Sequence, residues 1–416
     1  MREYLQELSV LPKGVKQFLL SEPFLGMAFG LHALLFNLHL LAHQVNEVEI
    51  GKITAIGSLV MALVAIPFGI LADRIGRKKV LVSGLTIITI SHYFIAFGSS
   101  FEHFLIAQFI LSFGMAMMIA AEIPLLFKYC HTIKQETQTY NMMFAVFTFF
   151  TGLGTLIGGY LPQLLDGGHE HYQGTMIFMA ISMTVVTIAR YFLPDEGKAA
   201  PKNEGEKHRF KLTFKNVMPN KKLLIYAGFS IFSGAAFAFL IPFFNIIIKF
   251  RLDWTDANVA ILLTANGLIL SIASFMTPYL LDKWGLKRVS FALFVLTISA
   301  SFLLALTIPL SVFLVFFIVR SGVFTALFNV IEGQALQATD DRERSLHASL
   351  RSIGRSLGAT TAAYLAGIIL GLGNYWLPFL ASGIVVLLAY FYFHLFMLKP
   401  LQCDLDKKEV VIKKSG

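Results

Sequence analysis

Long stretches without a single charged side chain constrain this chain more than any other feature. Leu59 to Leu71, Val80 to Ser100 and Leu223 to Ile248 carry no Asp, Glu, Lys or Arg. About 18 or more such residues read as a membrane-spanning helix, since about 20 residues at 1.5 Å each cross the hydrocarbon layer. Composition agrees: 56% of the 416 residues are hydrophobic and 14% charged, against roughly 45–50% and 25% in soluble domains. Apolar runs between charged or turn-rich breaks give twelve spans, at 22–45, 53–72, 79–99, 103–127, 139–165, 174–194, 223–248, 257–281, 289–308, 312–336, 347–371 and 375–398. The runs lack the alternation of a membrane barrel. An all-α integral membrane protein is expected.

The spans fall into two sets of six. A polar stretch rich in Lys, Glu, Asn, Gly and Pro separates them, which predicts a first bundle over 1–194, a linker over 195–222, a second bundle over 223–398 and a tail over 399–416. The halves also match in sequence. Gly69-Ile-Leu71-Ala-Asp73-Arg74-Ile-Gly76-Arg77-Lys78-Lys79 returns as Pro278-Tyr-Leu280-Leu-Asp282-Lys283-Trp-Gly285-Leu286-Lys287-Arg288, 209 residues later. Phe36-Asn37 returns as Phe244-Asn245 at an offset of 208, and Gly158 as Gly367 at 209. Such internal repeats mark transporter folds, with substrate between the halves.

The formal net charge of +9 raises nucleic acid as a partner, but its distribution excludes that reading. With the first span starting inside, all but four of the 34 Lys and Arg fall on the cytoplasmic side; the exceptions are Lys52, Lys249, Arg251 and Arg320. This is the positive-inside pattern, with both termini cytoplasmic. Cys130 and Cys403 also fall on that side, so no disulfide framework is implied. The first apolar segment is long enough to remain an anchor rather than a cleaved signal. No Asn-x-Ser/Thr sequon occurs, as expected for a bacterial cell-membrane protein.

The Gly69–Lys79 loop is short and stiff: glycines permit the sharp turn, Asp73 caps a helix end, and the basic residues sit at headgroup level. This loop and its copy resemble the hallmark loop of the major facilitator superfamily, G-x-L-a-D-r-x-G-r-k, matched by Gly69, Leu71, Asp73, Arg74, Gly76, Arg77 and Lys78. The resemblance extends to helix number, central linker and orientation. It implies a fold of two pseudo-symmetric six-helix bundles, a monomer, and a gating role for Gly69, Asp73, Arg74, Gly76, Arg77 and Asp282, with Asp73 in a charged latch between the bundles. Two further patterns of that family are partial. Gly152 to Gly159 resembles its antiporter motif with Thr155 in place of proline, and equally reads as a small-residue packing face. Gln108 stands where the family's fourth helix usually carries arginine.

Ionisable residues within spans are costly and point to function. Glu122, in the fourth span about 9 Å from its end at Lys128, and Glu332, its counterpart in the tenth at an offset of 210, are candidates for proton coupling or cation recognition. A structural hydrogen bond is the competing role for each. Arg320 reads either as an anion-binding group or as a pairing or gating partner of Glu122 or another acid. His32, His39 and His43 form one stripe on the first span, either a proton path or a polar lining; no Cys or carboxylate cluster accompanies them, so no metal is expected. Asn37, Asn245, Arg320 and Gln108 are the candidate substrate-cavity groups, and Glu122, Glu332, His32 and His39 the candidate coupling groups.

No phosphate-binding glycine loop, Ser-His-Asp set or HExxH occurs, so neither ATP use within the chain, nor an enzyme, nor a cofactor is expected. The expected function is secondary active transport of small molecules by alternating access, with protons coupling the efflux of lipophilic or cationic compounds. The alternative is import or facilitated movement of a small polar solute. A receptor that keeps the fold and transports nothing is the third reading.

Overall fold

A computed structural model of the chain describes residues 11–167, 172–195, 220–339 and 343–403. Among the described residues twelve helices are long and apolar enough to cross a membrane. They are α1 Lys13–Ala42, α2 Glu47–Ile75, α3 Arg77–Phe97, α4 Phe101–Lys128, α5 Ile133–Gly158 and α6 Gln173–Tyr191 in the first half. In the second half α7 spans Lys221–Leu252. The helical run Asp256–Leu304 breaks at Gly285 into α8 and α9, followed by α10 Leu310–Ala338 and α11 Arg344–Gly371, then α12 Leu377–Cys403.

Local chemistry sets the ends. Asn46 and Glu49 form a reciprocal capping box at the start of α2, and Thr132 accepts from the Gln135 N–H at the start of α5. Gly76 (φ 104°) joins α2 to α3, and Gly285 (φ 73°) joins α8 to α9. The repeated loops therefore share a left-handed turn that only glycine adopts without strain. Pro242 lies in a 3₁₀ turn, Ile241–Phe243, that interrupts α7.

Several expected boundaries move: the second helix begins at Glu47 rather than 53, and the fifth spans Ile133–Gly158 rather than 139–165. The first helix begins at Lys13 rather than 22, because its opening turns are amphipathic and escape an apolar-run reading; the last continues through Cys403 instead of ending at 398. Most of the expected linker, 196–219, and most of the tail, 404–416, lie outside the described residues.

Within the first half α1 packs on α5 and α6, α2 on α4, and α3 on α4 and α6; within the second, α7 packs on α11 and α12, and α8–α9 on α10 and α12. The halves meet chiefly through α2 with α11 and α5 with α8. These meetings concentrate at one end, opposite the Gly69–Lys79 loop. A Cβ added to Gly51 would stand 2.7 Å from the Gly367 Cα, and one added to Gly159 would stand 2.9 Å from the Ala257 Cα. Tyr375 donates to Glu47 at 3.4 Å across the same end. Beside them Lys249 bonds Asp256 at 2.7 Å, and Tyr172 donates to Asp256 at 3.0 Å. At the other end a Cβ on Gly69 would meet nothing within 4 Å. The bundles are closed at the Gly51–Gly367 end and parted at the end that carries the repeated basic loops.

Candidate functional site

Two charged clusters are built around the repeat-related carboxylates Glu122 and Glu332, one in each bundle. In the first bundle Arg190, on α6, is fully buried and lies between two carboxylates. Its Nη2 is 2.5 Å from Glu22 Oε1 on α1, and its Nη1 is 2.6 Å from Glu122 Oε1 on α4. Its Nε donates to Ser21 Oγ at 3.1 Å, and the guanidinium stacks on Phe18 at 4.3 Å. Glu22 is 1% exposed and Glu122 15%, so Glu122 is the most exposed member of this cluster. Counted in their ionised forms, two carboxylates and one guanidinium carry one formal negative charge in apolar surroundings, where desolvated charges are held only by partners and hydrogen bonds.

In the second bundle Glu332, on α10, accepts from Ser233 of α7 at 2.5 Å. Its other oxygen lies 3.5 Å from Arg351 and 3.8 Å from Arg355, one turn apart on α11. One carboxylate and two guanidinium groups leave one excess positive charge. The two arginine side chains are 35% and 45% exposed, whereas Arg190 is sealed.

The remaining sequence candidates lie elsewhere. Arg320 does not pair with Glu122, whose partner is Arg190. It is enclosed in the second bundle, donating to Ser301 of α9 at 3.3 Å and Ser382 of α12 at 2.7 Å, with its guanidinium 4.6 Å from the Phe324 ring. Among the described residues no carboxylate reaches it. Arg320 is thus a brace between helices rather than a group in the gap, because serine hydroxyls and an aromatic face replace the water it has lost. Asn37 and Asn245 are buried and hold each other: Asn37 Nδ2 donates to Asn245 Oδ1 at 3.2 Å and to the Pro242 carbonyl at 2.6 Å, while Asn245 Nδ2 donates to the Leu34 carbonyl at 2.7 Å. Repeat-related residues near a two-fold axis meet across it, so this pair clasps the bundles instead of lining open space.

The histidine stripe turns into the first bundle. His39 Nε2 lies 3.0 Å from the Ile95 carbonyl of α3 and its ring packs on His43 and Phe104, while His32 packs on Phe36 and His92. No group of three or more metal-ligating side chains occurs among the described residues. Gln108 bonds Ser112 at 3.3 Å on its own helix and packs over Gly57 of α2. The Gly152–Gly159 segment is a packing face: Gly154 and Gly158 lie against α1, Gly159 against α8, and Thr155 donates to the Gly30 carbonyl.

At the loop, Arg77 bonds Asp73 at 3.2 Å and donates to the Pro124 carbonyl of α4 at 3.0 Å. Lys78 bonds Asp195 at 2.8 Å and holds its carboxyl below the usual range. Arg74 and Asp282 are exposed, and among the described residues no ion pair joins this loop to the second bundle.

Comparison with known proteins places the chain. The family model described as Major Facilitator Superfamily matches residues 19–251 and 230–402. Multidrug resistance protein 1 of Bacillus subtilis (strain 168) is 22% identical over 363 residues, covering 83% of this chain and 88% of that protein. Quinolone resistance protein NorA of Staphylococcus aureus (strain MRSA252) is 22% identical over 341 residues, covering 76% and 80%. Among solved structures, a bacterial homolog of the human lysosomal transporter Spinster aligns with a TM-score of 0.76 at 16% identity, over 94% of this chain and 97% of that one. The chain belongs to the major facilitator superfamily; it is a multi-pass membrane transporter and not an enzyme.

Proposed function

We propose that this member of the superfamily exports lipophilic or cationic small molecules across a bacterial cell membrane in exchange for protons, with both termini cytoplasmic. On that orientation the parted end faces the cytoplasm and the cavity is open inward. The observation that carries the reading is the Glu22–Arg190–Glu122 cluster. Its excess negative charge, at the edge of the open space, is neutralised by one proton or balanced by one cationic ligand. Alternation between those two occupants is what exchange requires. The resistance proteins among the relatives support efflux over uptake. Glu122 is the member that reaches the cavity, and Arg190 and Glu22 hold it in place.

Inside-out membrane vesicles with an imposed acid-inside gradient test this. A panel of lipophilic cations, drugs and polar metabolites is added and collapse of the gradient followed. Compound-dependent proton efflux is expected in the wild type and lost in Glu122→Gln, with the variant's binding of the same compound in detergent serving as the control for folding. Absence of a response to every compound, with inserted and folded protein, overturns the exporter reading. Uptake or facilitation of a small polar solute, the second reading, predicts substrate flux with protons moving in parallel or not at all.

A further inference from the structure

The second-bundle cluster is incomplete as it stands. Glu332 has one oxygen occupied by Ser233 at 2.5 Å and offers the other to both Arg351 and Arg355. At 3.5 and 3.8 Å neither contact is a well-formed charge-assisted bond, which closes to about 2.7–2.9 Å. Arg190, with three bonds of 2.5 to 3.1 Å and no exposure, shows what a satisfied guanidinium looks like in this protein. Among the described residues Arg351 and Arg355 donate no hydrogen bond of that quality. Their side chains stay 35% and 45% exposed, and the Arg355 guanidinium sits 5.4 Å from the Phe237 ring of α7. Two planar donor forks one turn apart, a positive charge uncompensated among the described residues and an adjoining aromatic face form a receptor for a carboxylate or phosphate attached to an apolar body.

We infer that Arg351 and Arg355 form an anion-binding subsite, and that the transported compounds are amphiphiles carrying a carboxylate or phosphate group. This rests on the transporter reading and narrows it. A zwitterion suits both walls at once, its cationic part toward Glu122 and its anionic part toward the arginine pair. Glu332 then holds the two forks together while the site is empty, and Ser233 holds Glu332.

The test is equilibrium binding to full-length protein in nanodiscs, with no gradient imposed. Three probes share one apolar body: 1-naphthylacetate, 1-naphthylacetamide and the 1-naphthylmethyl-trimethylammonium ion. The acid is expected to bind at least about tenfold tighter than the amide, as one bidentate guanidinium pair allows. Arg351→Gln and Arg355→Gln each abolish that preference. Glu332→Gln removes the competing carboxylate, so it leaves binding of the acid unchanged or tighter. Equal binding of acid and amide overturns the inference, and so does a loss in Glu332→Gln that parallels the arginine variants, because that is the behaviour of a purely structural ion pair. Displacement of the acid when phosphatidylglycerol replaces phosphatidylcholine in the nanodisc overturns the assignment to a solute, since a lipid headgroup then owns the site. Failure of proton exchange in vesicles leaves these outcomes untouched.

Discussion

Replacing Arg190 by glutamine leaves Glu22 and Glu122 close together in an apolar wall with no cation between them. The bonds that Arg190 makes set the magnitude. Two are short and charge-assisted, and a third reaches Ser21; removing one member of a buried ion pair while leaving its partners charged costs about 3–5 kcal/mol. At about 2–4 °C per kcal/mol for a unit the size of one bundle, Arg190→Gln should lower Tm by roughly 6–20 °C. Glu22→Gln should cost far less, because Arg190 and Glu122 then balance. The triple variant Glu22→Gln, Glu122→Gln, Arg190→Gln removes all three charges and should recover most of the loss. The assay is thermal unfolding of purified protein in detergent, followed by size-exclusion fluorescence. An Arg190→Gln protein as stable as the wild type, or a triple variant no better than the single one, would refute the claim that this arginine holds the two carboxylates together.

Three further outcomes follow from the same geometry. A methyl group on Gly367 would enter the Gly51 backbone, so Gly367→Ala should shift the population toward states parted at that end; spin labels on cysteines placed at Lys52 and Leu372, in a Cys130→Ser, Cys403→Ser background, should report longer distances than the unsubstituted control. Asp73→Asn removes a half-exposed pair with Arg77 that contributes on the order of 1 kcal/mol or less; Tm should move by about 4 °C or less while the transport rate falls, and an unchanged rate would argue against a gating role. Burial and the Asp256 carboxylate push the Tyr172 hydroxyl up to about 12, above an ordinary tyrosine at about 10. Its neutral form is favoured in the folded state, so its contribution to stability is present below pH about 10 and is lost as pH rises toward 12. The ultraviolet difference titration between wild type and Tyr172→Phe should therefore show one tyrosine ionising well above pH about 10.

Much of the architecture was legible in the chain, and its gaps have physical causes. Uncharged runs and the repeated loop sufficed for twelve helices in two related halves, because hydrocarbon thickness and the positive-inside bias act on composition alone. Glu122 and Glu332 stood out as charges well inside spans. Glu22 and Arg190 did not, since each lies near the end of an apolar run, where a charged residue reads as a headgroup anchor; only packing reveals that α1 starts at Lys13 and carries Glu22 inward to meet Arg190. Arg320 was conspicuous in sequence and proved to be enclosed by serines, which no periodicity announces. Asn37 and Asn245 carried a better clue than their polarity: equal register in two repeats already places a pair near the symmetry axis.

The distribution of strong interactions also says how such a chain can move. Arg190 ties α1, α4 and α6 within the first bundle, and Arg320 ties α9, α10 and α12 within the second. Both are fully buried and multiply bonded, so each bundle resists internal rearrangement. Between the bundles, by contrast, the described residues meet through small-residue apposition at Gly51–Gly367 and Gly159–Ala257, the Asn37–Asn245 clasp, and bonds from Tyr172 to Asp256, from Lys249 to Tyr172, from Thr264 to the Gly152 carbonyl and from Tyr375 to Glu47. Interactions of this kind are individually worth about 1 kcal/mol and are replaceable by water when the end opens. A hierarchy with rigid braces inside each half and modest contacts between them favours rocking of two bodies about the gap. The negative cluster belongs to the first bundle and the positive one to the second, so their separation changes with the rocking while their internal geometry does not. A ligand that bridges the two clusters therefore binds with an affinity that depends on the rocking angle, and that differential is what a bound ligand needs in order to shift the equilibrium.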